Sequence, residues 1–149
     1  MRALLAALTL LAISLTATGV RAGTAEEIRA TYEAFAAAQN AHDLKRVGAL
    51  LLDSPRFLWV SDGMSVWGRE ATLERMSSFQ EAAVWRVEPD LAKAVAVALD
   101  ESSGFLHLPL QLVIGASVNP DRLRFLVSVL CVKTPAGWRI AALFTTTEK

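Results

Sequence analysis

Three side chains in this 149-residue chain carry chemistry beyond ordinary surface charge: the hydroxyl of Tyr32, the carboxylate of Asp62 and the imidazole of His107. A carboxylate can hold an imidazole in the tautomer that proton transfer needs, and histidine titrates near neutral pH. Asp62 with His107 is therefore the candidate acid–base pair, and helix periodicity places Tyr32 to reach a cavity through its hydroxyl. Each has a plainer reading. Ser61-Asp62-Gly63 has the composition of a tight turn in which the aspartate bonds its own backbone. His107 alternates with Phe105, Pro109 and Gln111, opposite Leu106, Leu108, Leu110 and Leu112, which puts it on the solvent side of a strand or at a pocket rim.

Recognition without chemistry has its own candidates. Trp59 and Trp67 flank the Asp-Gly turn, and aromatic walls with few polar groups are what small apolar ligand sites are built from, although tryptophan is also ordinary core material. Arg124 opens an otherwise apolar strand, so its guanidinium either holds a carboxylate or phenolate of a ligand or lies in water at an edge. Two histidines, His42 and His107, and one cysteine, Cys131, are too few for a structural zinc site, and no metal or cofactor is expected. Fifteen basic against fifteen acidic residues give no basic field for nucleic acid, and 53% hydrophobic residues are too many for a disordered chain.

The elements that must position these residues start after residue 22. Met1-Arg2, the apolar run Ala3 to Leu15 and the small-residue exit Val20-Arg21-Ala22 read as a secretory leader cleaved after Ala22. Crossing a bilayer takes roughly 20 apolar residues, more than this run has. The expected address is the periplasm or the exterior, with a single domain over 23–149 and no membrane span after cleavage. Removal of Arg2 and Arg21 leaves 13 basic against 15 acidic residues, a formal charge of −2. In that oxidising setting Cys131, within the apolar run Phe125 to Val132, is expected to be buried.

Ile28, Tyr32, Phe35 and Ala38 recur at helical spacing, and Thr24 with Glu27 reads as a capping box at the helix start. Asp43 caps a second helix with Leu44, Val47, Leu50 and Leu51 inward. A strand over Arg56–Val60 turns at Ser61-Asp62-Gly63 into a hairpin, and Gly68-Arg69-Glu70 opens a third helix with Leu73, Met76 and Phe79 in a row. Five extended runs follow, over 84–87, 92–99, 105–114, 123–133 and 138–146, parted by turn formers. Helices first and strands afterwards predict an α+β domain, with the helices on one face of a curved antiparallel sheet.

This order, with its local phrases, resembles the nuclear transport factor 2-like superfamily, which includes ketosteroid isomerase and SnoaL-type polyketide cyclases. The matching residues are the first helix with Tyr32 and Phe35, Ala41-His42-Asp43-Leu44, Phe57 to Gly63, Gly68-Arg69-Glu70 and Gly137 to Ala142. The resemblance implies a cone of sheet wrapped around three N-terminal helices, an apolar pocket at the open end, and a homodimer formed through the outer sheet face. Ketosteroid isomerase uses a carboxylate base, a tyrosine and a protonated carboxylic acid. In this chain the base position falls on Trp59, the strand before the last has no carboxylate between Phe125 and Val132, and the tyrosine position falls near Phe35, almost a turn from Tyr32. Ordinary ketosteroid isomerisation is thereby rejected. The expected pocket residues are Tyr32, Phe35, Trp59, Trp67 and Arg124. Three readings compete: a binder of a small apolar or aromatic molecule, or of its own copy; an isomerase, cyclase or dehydratase-like enzyme using Tyr32, Asp62 or His107; and an interaction module using its sheet face. A cavity well below about 300 Å³ would put the interaction reading in front.

Overall fold

The computed structural model describes residues 23–149, and the leader expected over 1–22 lies outside them. Helix α1 occupies residues 23–40 and presents Ile28, Tyr32, Phe35 and Ala38 as one stripe, each no more than 1% exposed. Gly23 is already helical, so Thr24 lies inside the helix and the capping reading fails. Glu27 turns to the sheet instead, where Oε2 accepts from Trp138 Nε1 at 2.9 Å and from Lys133 Nζ at 3.4 Å. The tryptophan bond, with lysine in support, holds that carboxyl below the usual carboxylate range.

Helix α2 (Leu44–Leu50) starts where Asp43 accepts from the Arg46 backbone N–H at 2.9 Å. Strands β1 (Leu58–Ser61) and β2 (Met64–Trp67) form a two-residue hairpin. Its Asp62 and Gly63 have φ of 51° and 71°, the left-handed pair that matches strand twist and that Asp-Gly tolerates best. Helix α3 (Arg69–Gln80) follows, then β3 (Val84–Pro89), a short 3-10 turn (Leu91–Lys93), β4 (Val95–Ala98), β5 (Ser103–Gly115), β6 (Asp121–Thr134) and β7 (Gly137–Thr147). The run expected over 92–99 is thus divided: Asp90 caps the 3-10 turn through the Lys93 N–H, and only its second half pairs as a strand.

The seven strands make one curved, unclosed sheet in the order β2-β1-β7-β6-β5-β3, with β4 beside the first half of β5. All neighbours run antiparallel except β1 and β7, which run parallel with Trp59 opposite Leu143. Their direction is not set by a hairpin, because some 75 residues separate them in sequence. On β5 the even residues Leu106, Leu108 and Leu110 face inward, and their register partners Val129, Val127 and Phe125 on β6 do the same. On β7 Leu130 pairs with Ala142 but Cys131 pairs with Ile140, so Ala141 is an extra residue. Before it Trp138 and Ile140 are inward; after it the phase reverses, with Leu143 inward and Phe144 outward.

Polar side chains fasten α1 to this sheet. Asn40 donates to the Val87 carbonyl and accepts from the Val87 N–H, each at 2.8 Å, and so acts as a strand neighbour on the outer edge of β3. Arg29 donates to the carbonyls of Leu91 and Ala94 at 2.7 and 3.0 Å.

Two outcomes test this packing. A Cβ on Gly104 would meet the Val97 carbonyl and stand 2.5 Å from Ile28 Cδ1, so Gly104→Ala should cost about 1–3 kcal/mol in denaturant unfolding. Cys131 is fully buried, and burial pushes its thiol up to about 12. It should resist alkylation by iodoacetamide in the folded chain and react once β6 opens, so that the labelling rate follows denaturant concentration.

Candidate functional site

Strand alternation and the phase reversal on β7 bring one set of inward side chains around a cavity of about 180 Å³. The sheet contributes Trp85 and Val87 from β3, Leu110 to Ile114 by alternation from β5, and Leu123, Phe125 and Val127 from β6. Leu143 and Thr145 enter from β7 and Trp59 and Ser61 from β1, while the helices close the space with Tyr32, Gln39, Met76 and Phe79. The lining is apolar apart from Tyr32, Gln39, Ser61, Asp62 and Thr145.

One wall is aromatic. Phe79 stacks on Trp85 with centroids 5.8 Å apart and planes at 13°, and meets Trp59 edge-on at 6.3 Å and 75°. The Arg75 guanidinium, one helical turn before Phe79, sits 5.3 Å from the centroids of both Trp59 and Phe79. Nε1 of Trp59 and of Trp85 are buried and have no hydrogen-bond partner among the described residues.

Burial pushes the Tyr32 phenol above its ordinary range, so the group is a proton donor at neutral pH and not a base. Among the described residues no His, Cys, Lys or Glu lines the cavity, and the one carboxylate among them that does, Asp62, belongs to the exposed hairpin turn. The arrangement can enclose a ring and donate hydrogen bonds to it.

Of the candidate residues, Tyr32, Asp62 and Trp59 line the cavity and four others do not. His107 is on the outer face of β5, with Nδ1 2.9 Å from Ser128 Oγ, because inward positions on that strand are the even ones. Asp62 and His107 are therefore not a pair. Trp67 is 60% exposed: the two-residue turn places it opposite Leu58, on the face that Trp59 does not share. Arg124 lies between the inward Leu123 and Phe125, faces outward, and pairs with Glu148 Oε2 at 2.8 Å. Phe35 is enclosed in the core, 6.0 Å from the Tyr32 ring, without reaching the cavity.

Sequence reasoning missed Trp85 and Gln39, and treated Met76 and Phe79 only as a helix stripe. Alternation of Trp85, Val87 and Pro89 was the available signal for β3. Nothing in the local pattern points to Gln39, which adjoins the buried Ala38 and is itself only 7% exposed.

A SnoaL-like domain family model matches residues 28–143. Solved structures share the fold: an uncharacterised Caulobacter vibrioides protein with a cystatin-like fold is 18% identical, with 85% of this chain and 91% of that one covered and a TM-score of 0.72. A nuclear transport factor 2-like family protein from Streptomyces avermitilis is 12% identical, with 85% and 98% covered and a TM-score of 0.75. A nuclear transport factor 2-like superfamily protein from Salmonella enterica serovar Typhimurium is 14% identical, with 86% and 93% covered and a TM-score of 0.73. No curated protein matches the chain in sequence. With the family model spanning most of its length, the chain belongs to the SnoaL-like domain family, and its helix-filled curved sheet is the fold of the nuclear transport factor 2-like structures.

Proposed function

We propose that this domain binds a small apolar or aromatic molecule of about one ring in the cavity and carries out no ketosteroid isomerisation. The carrying observation is a partly open apolar cavity of about 180 Å³ between the helices and the inner sheet face. Protein interiors hold few voids larger than a water molecule, and an engineered apolar cavity of about 150 Å³ takes benzene. A volume below the roughly 300 Å³ of drug-sized sites speaks against polycycles and steroids and, by the size criterion set above, favours the interaction reading over any ligand larger than one ring. The division of Tyr32, Asp62 and His107 among core, turn and outer face weighs against turnover by those three. The leader-like run Ala3 to Leu15 supports a periplasmic or extracellular setting.

Thermal unfolding with toluene, phenol and indole is the test: ligand at about one hundred times Kd should add about 2.7 kcal/mol of stability. A steroid should give no shift, and Trp59→Ala should abolish the shift from the small rings. Absence of a shift with every one-ring compound would overturn the reading.

A second reading, a homodimer, has its own observation. Trp67, Leu58, Ala142, Leu130, Phe105 and Val97 are successive register partners across six strands and form one apolar row on the outer face. Trp67, Leu130 and Phe105 in it are 60%, 37% and 37% exposed. A second copy presenting the same row would bury it isologously. Sedimentation should show a concentration-dependent dimer that Leu130→Asp converts to monomer without loss of fold; a wild-type monomer at high concentration would refute it.

A further inference from the structure

Two of the polar side chains that line the cavity are more than nine-tenths buried: Tyr32 and, two turns further along the same face of α1, Gln39. The other three, Ser61, Asp62 and Thr145, are half-buried or exposed. The Tyr32 hydroxyl has no hydrogen-bond partner among the described residues, and burial alone, without any hydrogen bond, accounts for the upward shift of its phenol. It is nonetheless not one of the atoms sealed away from water without a partner, which are Trp59 Nε1, Trp85 Nε1 and Arg75 Nε. With its residue only 1% exposed, the open space that Tyr32 Oη meets is the cavity itself.

The charges around the cavity limit what can accept from this hydroxyl. Among the described residues no Lys, Arg or His lines it, and the one charged group that does, Asp62, is negative, so an entering anion would give up its hydration without a countercharge. A cation fares no better, because the Arg75 guanidinium already lies 5.3 Å from the ring centroids of Trp59 and Phe79 and would repel it. A hydrocarbon ring suits the apolar walls but encloses the Tyr32 hydroxyl with nothing to bond, which costs affinity. We infer that the ligand of this cavity is an uncharged one-ring compound carrying an oxygen function, a hydroxyl or a carbonyl, that accepts a hydrogen bond from Tyr32 Oη while its ring lies among the apolar side chains.

This inference rests on the binding reading above and adds to it the charge and functional group of the ligand. Tyr32 keeps its proton at neutral pH and is therefore always available as the donor. A site built to bond an oxygen discriminates against the analogue that lacks it, because the buried hydroxyl is then left unpaired.

The test is calorimetric titration of the full chain with phenol, toluene, benzamide and benzoate. Phenol and toluene are alike in size and differ in the oxygen; benzamide and benzoate are alike in shape and differ in charge. Phenol should bind about tenfold tighter than toluene, and benzamide about tenfold tighter than benzoate. Tyr32→Phe should erase the preference for phenol while toluene still binds, which shows that the variant is folded. Gln39→Leu, which removes the other enclosed polar group and keeps the hydroxyl, should reduce the preference by less than Tyr32→Phe; a larger loss there would overturn the assignment of the donor. If toluene binds as tightly as phenol, if benzoate binds as tightly as benzamide, or if Tyr32→Phe keeps the preference, the inference falls and the cavity reading stands. If none of the ring compounds binds, both fall together.

Discussion

The pairing of β5 with β6 is the constraint on which the remaining structure depends. Two strands of 13 and 14 residues share twelve register pairs, and every inward position near their middle is Leu, Val or Phe. Once these two strands are paired, the inner face needs a cover, and the stripe of α1 from Ile28 to Ala38 supplies it. The outer face is fixed in the same act, because period-two alternation leaves no freedom to choose it separately. His107 and Arg124 are outward for the same reason that Leu108 and Phe125 are inward. Helix α1 is held in place by polar clasps at both ends of its length, Glu27 and Arg29 near one and Asn40 at the other. These bonds give register to a contact that apolar burial alone would leave free to slide.

The polar accounting of the interior is uneven in an informative way. On α1 Arg29, Thr31 and Asn40 find partners, Asn40 satisfying both the N–H and the carbonyl of Val87. Around Phe79 the indoles and the Arg75 Nε find none. The outer sheet face carries a separate apolar row, from Trp67 on β2 to Val97 on β4. The cavity and this row are on opposite sides of the same strands.

Much of this was legible in the sequence, and what was not has physical causes. Alternation gave β5 and β6, Asp43 gave the start of α2, and Asp62-Gly63 gave the hairpin, because each depends on residues close in the chain. The same hairpin also contained the answer for Trp67. With a two-residue turn Trp59 must pair with Val66, which leaves Trp67 on the other face. The parallel contact of β1 with β7 was hidden, since it joins segments far apart and shows no local signature. Arg75, Phe79 and Trp85 were unremarkable singly. Their meeting depends on α3 lying against β1 and β3, a tertiary fact that periodicity does not encode. The start of α1 misled in the opposite direction: Thr24 and Glu27 have capping spacing, but the carboxylate is worth more as the acceptor for Trp138.

The extra residue Ala141 has one more consequence. A strand with a single phase would have continued the inward row of Trp138 and Ile140 through Ala142 to Phe144 and Thr146. The slip of one position turns Phe144 out and puts Leu143 and Thr145 in its place, and Thr145 Oγ1 donates to the Val60 carbonyl at 3.2 Å. A phenyl group on the inner face at that level would project into the space that the ring of a ligand would take. The vacancy therefore owes its existence to the phase of one strand and not to a scarcity of large side chains. This core is large enough to fill itself, and a single inserted alanine keeps it from doing so.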